Sequence, residues 1–480
     1  MRLSSIKKLC LVITKFVLNE TCKLQHFIGA WVSFWIMKVF NMSSEAENQS
    51  SSSFYTWSIL ILFTLTYTFS FVDRQVINLL VEPIKDDMNL SDVQISYLQG
   101  LIFVIPYVLL SIPIGRLVDV FSRIYVIIGG ILVWSFATIA AGLSGNYTQL
   151  AFARGFVGAG EAALTPAVWS MFPDIFNKNQ LALAMSIFSM APYLGAGIAL
   201  IAGAQVIEIS KSSPPLEIPV FGILQPWQLT LIICGAPGII FALIYAFMKE
   251  PKRTASAYET DDAMPLSEAL TFMKKNWKVY LAFLGGSPFM IILLYSIQAW
   301  SPTLLIRVHE WDISDAGRIY GLVALVTGSL GVLSSPIVAR LMQNFNIKGY
   351  PLLMLMMSTT LTAMFLFIAG QQSDGMNCLI FLALASYFVT IPLPQLAVTL
   401  QTISPNKMRG MVAGIFVVTG NVMGMGLGPT FVAFFTENIF QDPMSVGLSM
   451  GLLGLFSAPI AMIIYINGYK DLIAITAKQS

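Results

Sequence analysis

The chain has 480 residues, of which 56% are hydrophobic and 11% are charged, and its formal net charge is +2. A soluble domain carries about 25% charged residues, so the composition excludes an ordinary cytosolic enzyme, and the small net charge excludes a nucleic-acid-binding chain. The four cysteines and two histidines are scattered without ligand spacing, so we expect no disulfide framework, no metal site and no cofactor. What remains is a membrane protein that crosses the bilayer many times.

Twelve apolar segments follow residue 56, each long enough for a helix that crosses a bilayer, which takes about 20 residues. Hydrocarbon offers no partner to open backbone groups, so each segment is predicted to be a helix. We therefore predict an all-α membrane protein with twelve transmembrane helices. The spans, numbered 1 to 12, lie near 57–81, 93–115, 124–143, 149–172, 179–206, 227–248, 279–306, 319–339, 349–370, 376–403, 410–436 and 444–469.

The connection between spans 6 and 7 is unlike the others, because residues 249–278 hold 11 charged residues. Six spans precede this segment and six follow it. Such a division is typical of transporters built from two parallel halves. The predicted organisation is a cytoplasmic leader at 1–56, an N-terminal six-helix half at 57–248, a cytoplasmic linker at 249–278, a C-terminal six-helix half at 279–470 and a cytoplasmic tail at 471–480.

The distribution of lysine and arginine predicts the orientation. Of the 27 such residues, 15 fall in alternate loops and the tail on one side of the spans, whereas Lys85, Lys211, Arg307 and Arg318 fall on the other. The side richer in positive charge is cytoplasmic by the positive-inside rule. Both termini and the linker are therefore predicted to lie inside, and the expected location is a plasma membrane or a bacterial inner membrane.

The leader permits two interpretations. Residues 27–40 contain Trp31, Phe34 and Trp35 and are typical of a peripheral helix at the membrane surface. Alternatively, translation starts at Met42, where a polar, Ser-rich stretch begins, and residues 1–41 are an over-extended reading frame.

Four charged residues lie inside predicted spans, where charge is costly and marks a functional candidate: Asp73 and Arg74 in span 1, and Arg154 and Glu161 in span 4. A helix rises about 1.5 Å per residue, which puts Asp73 and Arg154 at similar depths and predicts that they pair. Glu161, two turns further along the same face, is predicted to lie near the midplane. Arg74 either joins this cluster or extends its long side chain outward to the interface.

These charges allow a functional and a structural interpretation. Desolvation favours the neutral form of a carboxyl group, and a neighbouring guanidinium favours the charged form. Poised between these two influences, Asp73 and Glu161 can take up and release protons, while Arg154 can bind an anionic substrate. The structural alternative is an inert ion pair that joins two helices.

The loop between spans 2 and 3 carries a motif, Gly115-Arg-Leu-Val-Asp119-Val-Phe-Ser-Arg123. It resembles the signature of the major facilitator superfamily, which reads Gly, three residues, Asp-Arg, one residue, Gly-Arg. Gly115, Asp119 and Arg123 match, whereas Val120 and Ser122 depart. The resemblance implies a gating loop that latches the two halves in one state, and the departures bear on the strength of that latch.

Other stretches resemble the spinster-like branch of that superfamily, and the resemblance covers roughly residues 57–470. It implies that the carboxyls of spans 1 and 4 and the span 4 arginine line a cavity, and that protonation is linked to alternating access. It further implies lysolipids and sphingoid phosphates as the substrates of the eukaryotic members. Organic-anion symporters share part of the span 4 pattern. The stretches are Asp73-Arg74, Arg154 with Gly158-Ala-Gly160-Glu161-Ala162, Trp300-Ser-Pro302 followed by Arg307, and Met408-Arg409-Gly410.

The second half has no carboxylate inside its predicted spans. Its candidate substrate-binding residues are polar or aromatic, and such a wall would suit an amphiphile with a polar head. Ordinary core packing is the alternative for each of them. The candidates are Tyr295, Gln298, Trp300, Gln395 and Asn421.

The leading hypothesis is a secondary active transporter, proton-coupled through Asp73 and Glu161, that moves a small amphiphilic or anionic molecule by alternating access. No P-loop pattern supports ATP-driven transport, and no catalytic pairing of His, Cys or Ser with an acid indicates an enzyme. The alternatives are an uncoupled uniporter, an organic-anion/proton symporter and a non-transporting receptor. The expected partners are a small or lipid-like substrate, protons and the bilayer, with the chain as a monomer and without nucleic acid.

Overall fold

The structure is a computed structural model that describes residues 53–176, 178–212, 216–218, 222–251, 253, 265–405 and 408–477. Both interpretations of the leader concern residues outside this described part of the chain. The middle of the predicted linker also lies outside it.

The predicted all-α architecture is confirmed. Within the described residues, 11 helices are long and apolar enough to cross a membrane. The remaining predicted span, 149–172, is present as two shorter helices, which together form span 4. The 11 helices are Tyr55–Asn78, Asp92–Val120, Arg123–Gly142, Leu183–Lys211, Pro226–Ala246, Trp277–Arg307, Ile313–Asn344, Tyr350–Ala369, Gly375–Ile403, Met411–Phe440 and Pro443–Thr476.

Several spans consist of consecutive helical segments. In the N-terminal half the α-helices are Ser53–Gln75, Val81–Met88, Asp92–Gln99, Leu101–Val120, Arg123–Gly142, Tyr147–Glu161, Leu164–Ile175, Lys178–Ser189, Ala191–Ser212 and Pro226–Ala246. A 3₁₀ turn at Val76–Asn78 extends span 1. Between spans 5 and 6, strands Leu216–Ile218 and Gly222–Leu224 form an antiparallel hairpin in which Glu217 pairs with Ile223.

The C-terminal half contains similar segments. Its α-helices, including the linker helix Leu266–Lys275, are Leu266–Lys275, Trp277–Tyr280, Ser287–Arg307, Ile313–Asn344, Tyr350–Ala369, Gly375–Thr390, Leu393–Ile403, Arg409–Thr419, Gly428–Phe434 and Val446–Ala477. Three π-helical segments, Leu281–Gly286, Gly420–Leu427 and Phe435–Phe440, lie in spans 7 and 11, and a 3₁₀ turn lies at Pro443–Ser445. Wide π turns within α-helices are frequent at functional positions.

Span 4 breaks directly after Glu161. Its first helix ends at that residue, and Ala162 and Ala163 form a turn before the second helix starts at Leu164. Pro166 lies in the first turn of the second helix, where its missing N–H group is tolerated but where it cannot continue a helix from the preceding segment. The proline therefore fixes the break beside the buried carboxyl group.

The two halves share a hydrophobic core at their outer ends. One cluster joins Leu80 and Leu98 of the first half to Ile297 and Leu304 of the second. A second cluster lies mainly within the first half and also includes Met425 of the second half. Apolar packing therefore joins the halves at their outer ends.

Glycine allows a close approach between the halves where span 5 packs on span 8. A Cβ atom at Gly317 would lie 2.7 Å from Ala204 Cβ, closer than two carbon atoms pack. At the inner end of span 2, in contrast, no atom of the described residues outside that helix lies within 4 Å of the position of a Cβ at Gly115.

Candidate functional site

A buried ion pair joins spans 1 and 4. Arg74 Nη2 lies 2.5 Å from Glu161 Oε2, and Arg74 Nε lies 3.1 Å from the same oxygen. Ser70 Oγ also donates to Glu161 Oε2, at 2.9 Å. The other oxygen, Glu161 Oε1, is buried and has no hydrogen-bond partner among the described residues. Two side chains therefore bind one oxygen of Glu161, and the other oxygen can accept a proton without the loss of an existing hydrogen bond.

The similar depths of Arg154 and Asp73 predicted an ion pair between their side chains, and the structure does not contain that ion pair among the described residues. Arg154 donates instead to the backbone carbonyls of Leu98 at 3.2 Å, Asp73 at 3.0 Å and Arg74 at 2.8 Å. The last carbonyls of an α-helix lack partners within the helix, and the α-helix of span 1 ends at Gln75. Arg154 therefore binds the end of that helix rather than a carboxylate.

Asp73 is buried and forms no ion pair with the described residues. Its carboxyl group lies beside Thr138 of span 3 and near Cys234 of span 6. Its Oδ1 atom has no hydrogen-bond partner among the described residues. Successive residues of a helix point about 100° apart, which explains why Arg74 faces span 4 while Asp73 faces the interior of the first half.

Aromatic rings surround the Arg74 guanidinium. Its carbon lies 4.3 Å from the centre of the Phe71 ring, 4.6 Å from that of Phe103 and 5.4 Å from that of Tyr107. A desolvated cation gains about 2 kcal/mol from such a contact. The rings therefore stabilise the positive charge independently of Glu161. Arg74 does not extend to the interface, which was one of the two predicted orientations.

Amide side chains connect the halves just outward of this pair. Gln75 Nε2 donates to Gln298 Oε1 at 2.8 Å, and Asn78 Nδ2 donates to Gln75 Oε1 at 2.5 Å. Gln99 Nε2 donates to Asn78 Oδ1 and to the carbonyl of Ala299, both at 3.2 Å. Gln298 and Ala299 belong to span 7, so this network, which we call the amide layer, crosses the boundary between the halves.

The other candidate residues of the second half lie in different surroundings. Tyr295 is half-buried, contacts hydrophobic residues of both halves and lies near Arg74. Trp300 is fully buried, and its indole N–H donates to the carbonyl of Pro429 at 3.0 Å within the second half.

Gln395 and Asn421 lie on spans 10 and 11 and are half-buried. The Asn421 amide donates to the carbonyl of Val417, one turn earlier, at 2.9 Å. Of the five candidates in the second half, Tyr295 lies near Arg74, and Gln298 binds Gln75, the residue that follows Arg74.

A charged cluster, which we call the outer clamp, joins the halves at the outer surface: Glu82, Lys85, Asp92, Arg307 and Glu437. Arg307 lies 2.6 Å from Glu82 and binds both oxygens of Asp92, at 2.8 and 2.9 Å. Lys85 lies 2.6 Å from Asp92, and Glu437 Oε1 accepts the backbone N–H of Asp92. The second half thus binds the start of span 2 through both Arg307 and Glu437.

Two more ion pairs link the outer ends of spans 5 and 8. Lys211 lies 2.9 Å from Asp312, and Arg318 lies 3.7 Å from Glu208. The hydrogen bond from Lys211 is the main cause of a lowered pKa of Asp312. Because these side chains are about half exposed, each pair contributes little to stability.

The predicted gating residue Arg123 is buried and stabilises the cytoplasmic end of the first half. It lies 2.8 Å from Glu250 and 2.5 Å from Asp174, and it donates to the carbonyl of Pro251 at 2.8 Å. Partial burial raises the pKa of Glu250, but hydrogen bonds from Ser122 and Arg123 lower it further, so the pKa lies below its usual value. Arg123 therefore links the loop to span 4 and to the start of the linker.

The other two residues of the predicted gating loop lie at the end of span 2. Asp119 is partly exposed and lies 3.8 Å from Arg116, one turn earlier, while Gly115 has open space beside it. Arg253 of the linker donates to the carbonyls of Val118 and Asp119. The linker thus caps the helix on which the motif lies.

Sequence reasoning singled out Gln298 of the amide layer, but it did not single out Gln75, Asn78 or Gln99, and it did not identify the outer clamp. Amides carry no charge, so their presence in a span is not conspicuous. Lys85 entered only the count that fixed the orientation, and Arg307 entered that count and the spinster-like stretch after Trp300-Ser-Pro302. In the structure, every lysine and arginine assigned to the outer side lies in an ion pair.

Comparison with known proteins identifies relatives. A family model described as Major Facilitator Superfamily matches residues 63–429. An MFS-type efflux pump of Mycolicibacterium smegmatis (strain ATCC 700084 / mc(2)155) is 25% identical over 405 residues, 84% of this chain and 89% of that protein. Protein spinster homolog 1 of Mus musculus is 26% identical over 317 residues, which cover 62% of this chain and only 57% of that relative.

A solved structure has the same fold. It is a bacterial homologue of the human lysosomal transporter Spinster, in an inward-facing and unoccupied conformation. The TM-score is 0.73 at 23% sequence identity, and the alignment covers 88% of this chain and 99% of that chain. This likeness concerns the fold, with its two six-helix halves.

Proposed function

The chain belongs to the Major Facilitator Superfamily, and we propose that it is a proton-coupled transporter of a small amphiphilic or anionic molecule that works by alternating access. Its spinster-like relatives and structural neighbours support a transport function. The observation that carries the proton coupling is the buried pair of Arg74 and Glu161, in which Glu161 Oε1 has no partner among the described residues.

The pair offers a simple competition between a proton and an anion. A proton on Glu161 Oε1 removes the negative charge that binds Arg74. The guanidinium stays stabilised by the rings of Phe103 and Tyr107 and becomes available to an anionic group of the substrate. Loss of the proton restores the carboxylate, which competes with the substrate for Arg74 through a charge-assisted hydrogen bond. Proton uptake then favours substrate binding, and proton release favours substrate release.

Asp73 gives the site a second proton-binding group. It is buried among the helices of the first half, where a carboxylate without a cation is costly. Arg154 is proposed to position this carboxyl and Arg74 by binding the backbone of both. A role of Arg154 in binding the substrate itself, which the sequence favoured, is less well supported because its donors are occupied by carbonyls.

The closed outer side supports loading or release on the cytoplasmic side in this conformation. The amide layer between Gln75 and Gln298 lies between Arg74 and the outer surface. Outward opening requires these bonds and those of the outer clamp to break. The free-energy cost of breaking the amide layer is modest. Bonds to water replace each amide hydrogen bond, so each break costs a net of about 1 kcal/mol.

The chemistry around Arg74 supports a substrate with an anionic head and an apolar body. Arg74 supplies the charge, Tyr295 and Gln298 supply polar contacts from the second half, and aromatic rings form the remaining surroundings. Lysolipid-like molecules and organic anions both have this chemistry.

The test uses the full chain reconstituted in liposomes with a pH-sensitive dye inside. A pH gradient is applied with and without each member of a panel of lysolipids and organic anions. We expect proton flux that requires a ligand, is abolished in Glu161→Gln and falls at least about ten-fold in Asp73→Asn, a loss equivalent to about 1.4 kcal/mol. The matched control is Glu268→Gln on the exposed linker helix, which should behave as the wild type.

Ligand movement without proton flux in the wild type would contradict the coupling and favour a uniporter. The two carboxyls would then have a structural role. The absence of ligand movement for every compound would contradict the proposed substrate class.

A further inference from the structure

We propose that Glu437 is a positioning residue for alternating access: it stabilises the outer-closed state by capping the N-terminus of the helix Asp92–Gln99, across the boundary between the halves. This inference rests on the proposed function, because it assigns one of the contacts that opening must break. Glu437 lies at the outer end of span 11, and the helix it caps begins span 2.

The contact is made to backbone rather than to a side chain. Glu437 Oε1 accepts the N–H of Asp92 and, at 3.3 Å, the N–H of Val93. These are the first two N–H groups of the helix, which have no partner within it. The third, that of Gln94, is bound by Ser91 Oγ at 3.2 Å.

The helix also has a cap of its own. Ser91 accepts from the backbone of Gln94, and the Gln94 side chain accepts the Ser91 N–H at 2.9 Å, which is a complete capping box. Span 2 therefore keeps a stable helix start when the halves separate. The two N–H groups bound by Glu437 do not have such a local partner, so their bonds distinguish the closed state from the open one.

The negative charge of Glu437 suits its position at the start of a helix. The N-terminus of a helix carries a partial positive charge and stabilises a nearby carboxylate. The like charge of Asp92 is compensated by Arg307 and Lys85, which both bind its carboxylate. Glu437 therefore adds attraction between the halves instead of repulsion.

Span 11 presents Glu437 on a well-fixed segment. The residue lies in the π-helical turn Phe435–Phe440. Its neighbour Thr436 donates to the carbonyl of Val432 at 2.9 Å and to Ser449 Oγ of span 12 at 2.8 Å. A carboxylate on such an anchored turn moves with the second half as a unit, so its bonds to span 2 break when the halves separate.

The test measures how often the outer side opens. Thr430 lies on span 11 beneath the outer clamp, 3.4 Å from Ser96 of span 2. A membrane-impermeant maleimide added outside right-side-out vesicles reaches a cysteine introduced as Thr430→Cys only when the halves separate there. The labelling rate, read by mass spectrometry of the peptide, is proportional to the open fraction even when that fraction is small.

We expect Glu437→Ala to raise this rate about five-fold, the effect of losing a typical helix cap. Glu437→Gln, which keeps the acceptor oxygen but loses the charge, should give a smaller rise. The glutamine variant keeps the size of the side chain, so the test holds even where the alanine variant does not fold. Glu310→Gln, which changes an exposed carboxylate on the outer side of the second half, should leave the rate unchanged.

Cys234 reports on general loosening, because it is buried within the first half. Its labelling should stay unchanged in every variant, and a parallel rise at Cys234 and residue 430 would overturn the proposal. Measurable but equal labelling at residue 430 in wild type and both Glu437 variants would overturn this inference while leaving the proposed function intact. No labelling at residue 430 in any protein would overturn both.

Discussion

Arg154 determines how the neighbouring charges of span 1 are presented. Its guanidinium reaches three carbonyls at once, including those of Asp73 and Arg74. A planar guanidinium spreads its donors over three nitrogens in fixed directions and so reaches carbonyls that lie apart, whereas an ammonium group presents its three donors from one nitrogen. Arg154 therefore acts through the backbone on both Asp73, the candidate proton-binding residue, and Arg74, the candidate anion-binding residue.

We expect Arg154→Lys to lower the thermal stability of the purified protein and to reduce the transport rate at least about ten-fold, because it removes bonds worth about 1.5–3 kcal/mol each. The measurements are the melting temperature and the dependence of transport on substrate concentration. The control is Arg318→Lys at the half-exposed outer surface, which should change neither quantity appreciably. A raised KM with an unchanged melting temperature would instead indicate that Arg154 binds the substrate directly.

Span 4 illustrates what small residues do at the level of an element. Gly158 packs so closely on span 2 that a Cβ atom there would overlap the backbone carbonyl of Phe103. This contact holds Phe103 in place, and its ring contacts both Arg74 and Arg154. The glycine thus sets the distance between two helices that carry the site.

Gly158→Ala is expected to destabilise the protein by about 1–3 kcal/mol, because backbone of span 2 must move away. Gly129→Ala is the matched control in the interior of span 3, where no atom of the described residues outside that helix lies within 4 Å of the new Cβ. It should be neutral or stabilise by about 0.5–1 kcal/mol through helix propensity. Thermal unfolding of both variants in detergent checks the prediction, and equal melting temperatures would contradict it.

On the outer side of the molecule, the two halves are joined by ion pairs, by amide hydrogen bonds and by a shared apolar core. Lys211 and Asp312 lie 2.9 Å apart across this boundary, and each is about half exposed. A covalent link between these positions would prevent the outer side from opening. Alternating access would then stop in the state whose outer side is closed.

We therefore expect that a short bis-maleimide applied to Lys211→Cys with Asp312→Cys abolishes transport. The control pair, Lys278→Cys with Asp471→Cys, has similar exposure and a separation of 3.6 Å, but it joins the helices of spans 7 and 12, which do not belong to different halves. Cross-linking there should leave transport intact. Transport that persists after complete cross-linking of the first pair would contradict alternating access at this boundary.

The amino-acid sequence by itself determined the twelve apolar spans, their division into two halves and the superfamily, which the comparisons confirm. The sequence was sufficient because the hydrocarbon of a bilayer requires long apolar helices. A charge within such a helix is costly and rare, so it is easily recognised in the sequence. Asp73, Arg74, Arg154 and Glu161 were therefore identifiable as a group. The roles of these residues, and the bounds of the domains, stay predictions.

The tertiary structure alone decided which partner each charge has and which side of the protein is closed. The position of Arg154 along its helix predicts its depth in the membrane. Its side chain is long enough to reach either a carboxylate or the carbonyls of a helix end, and the packing of spans 1, 2 and 4 determines which of these it binds. Gln75, Gln99 and Glu437 gain their significance only from residues hundreds of positions away. Their contacts depend on how two bundles meet, and local patterns of residues do not specify that arrangement.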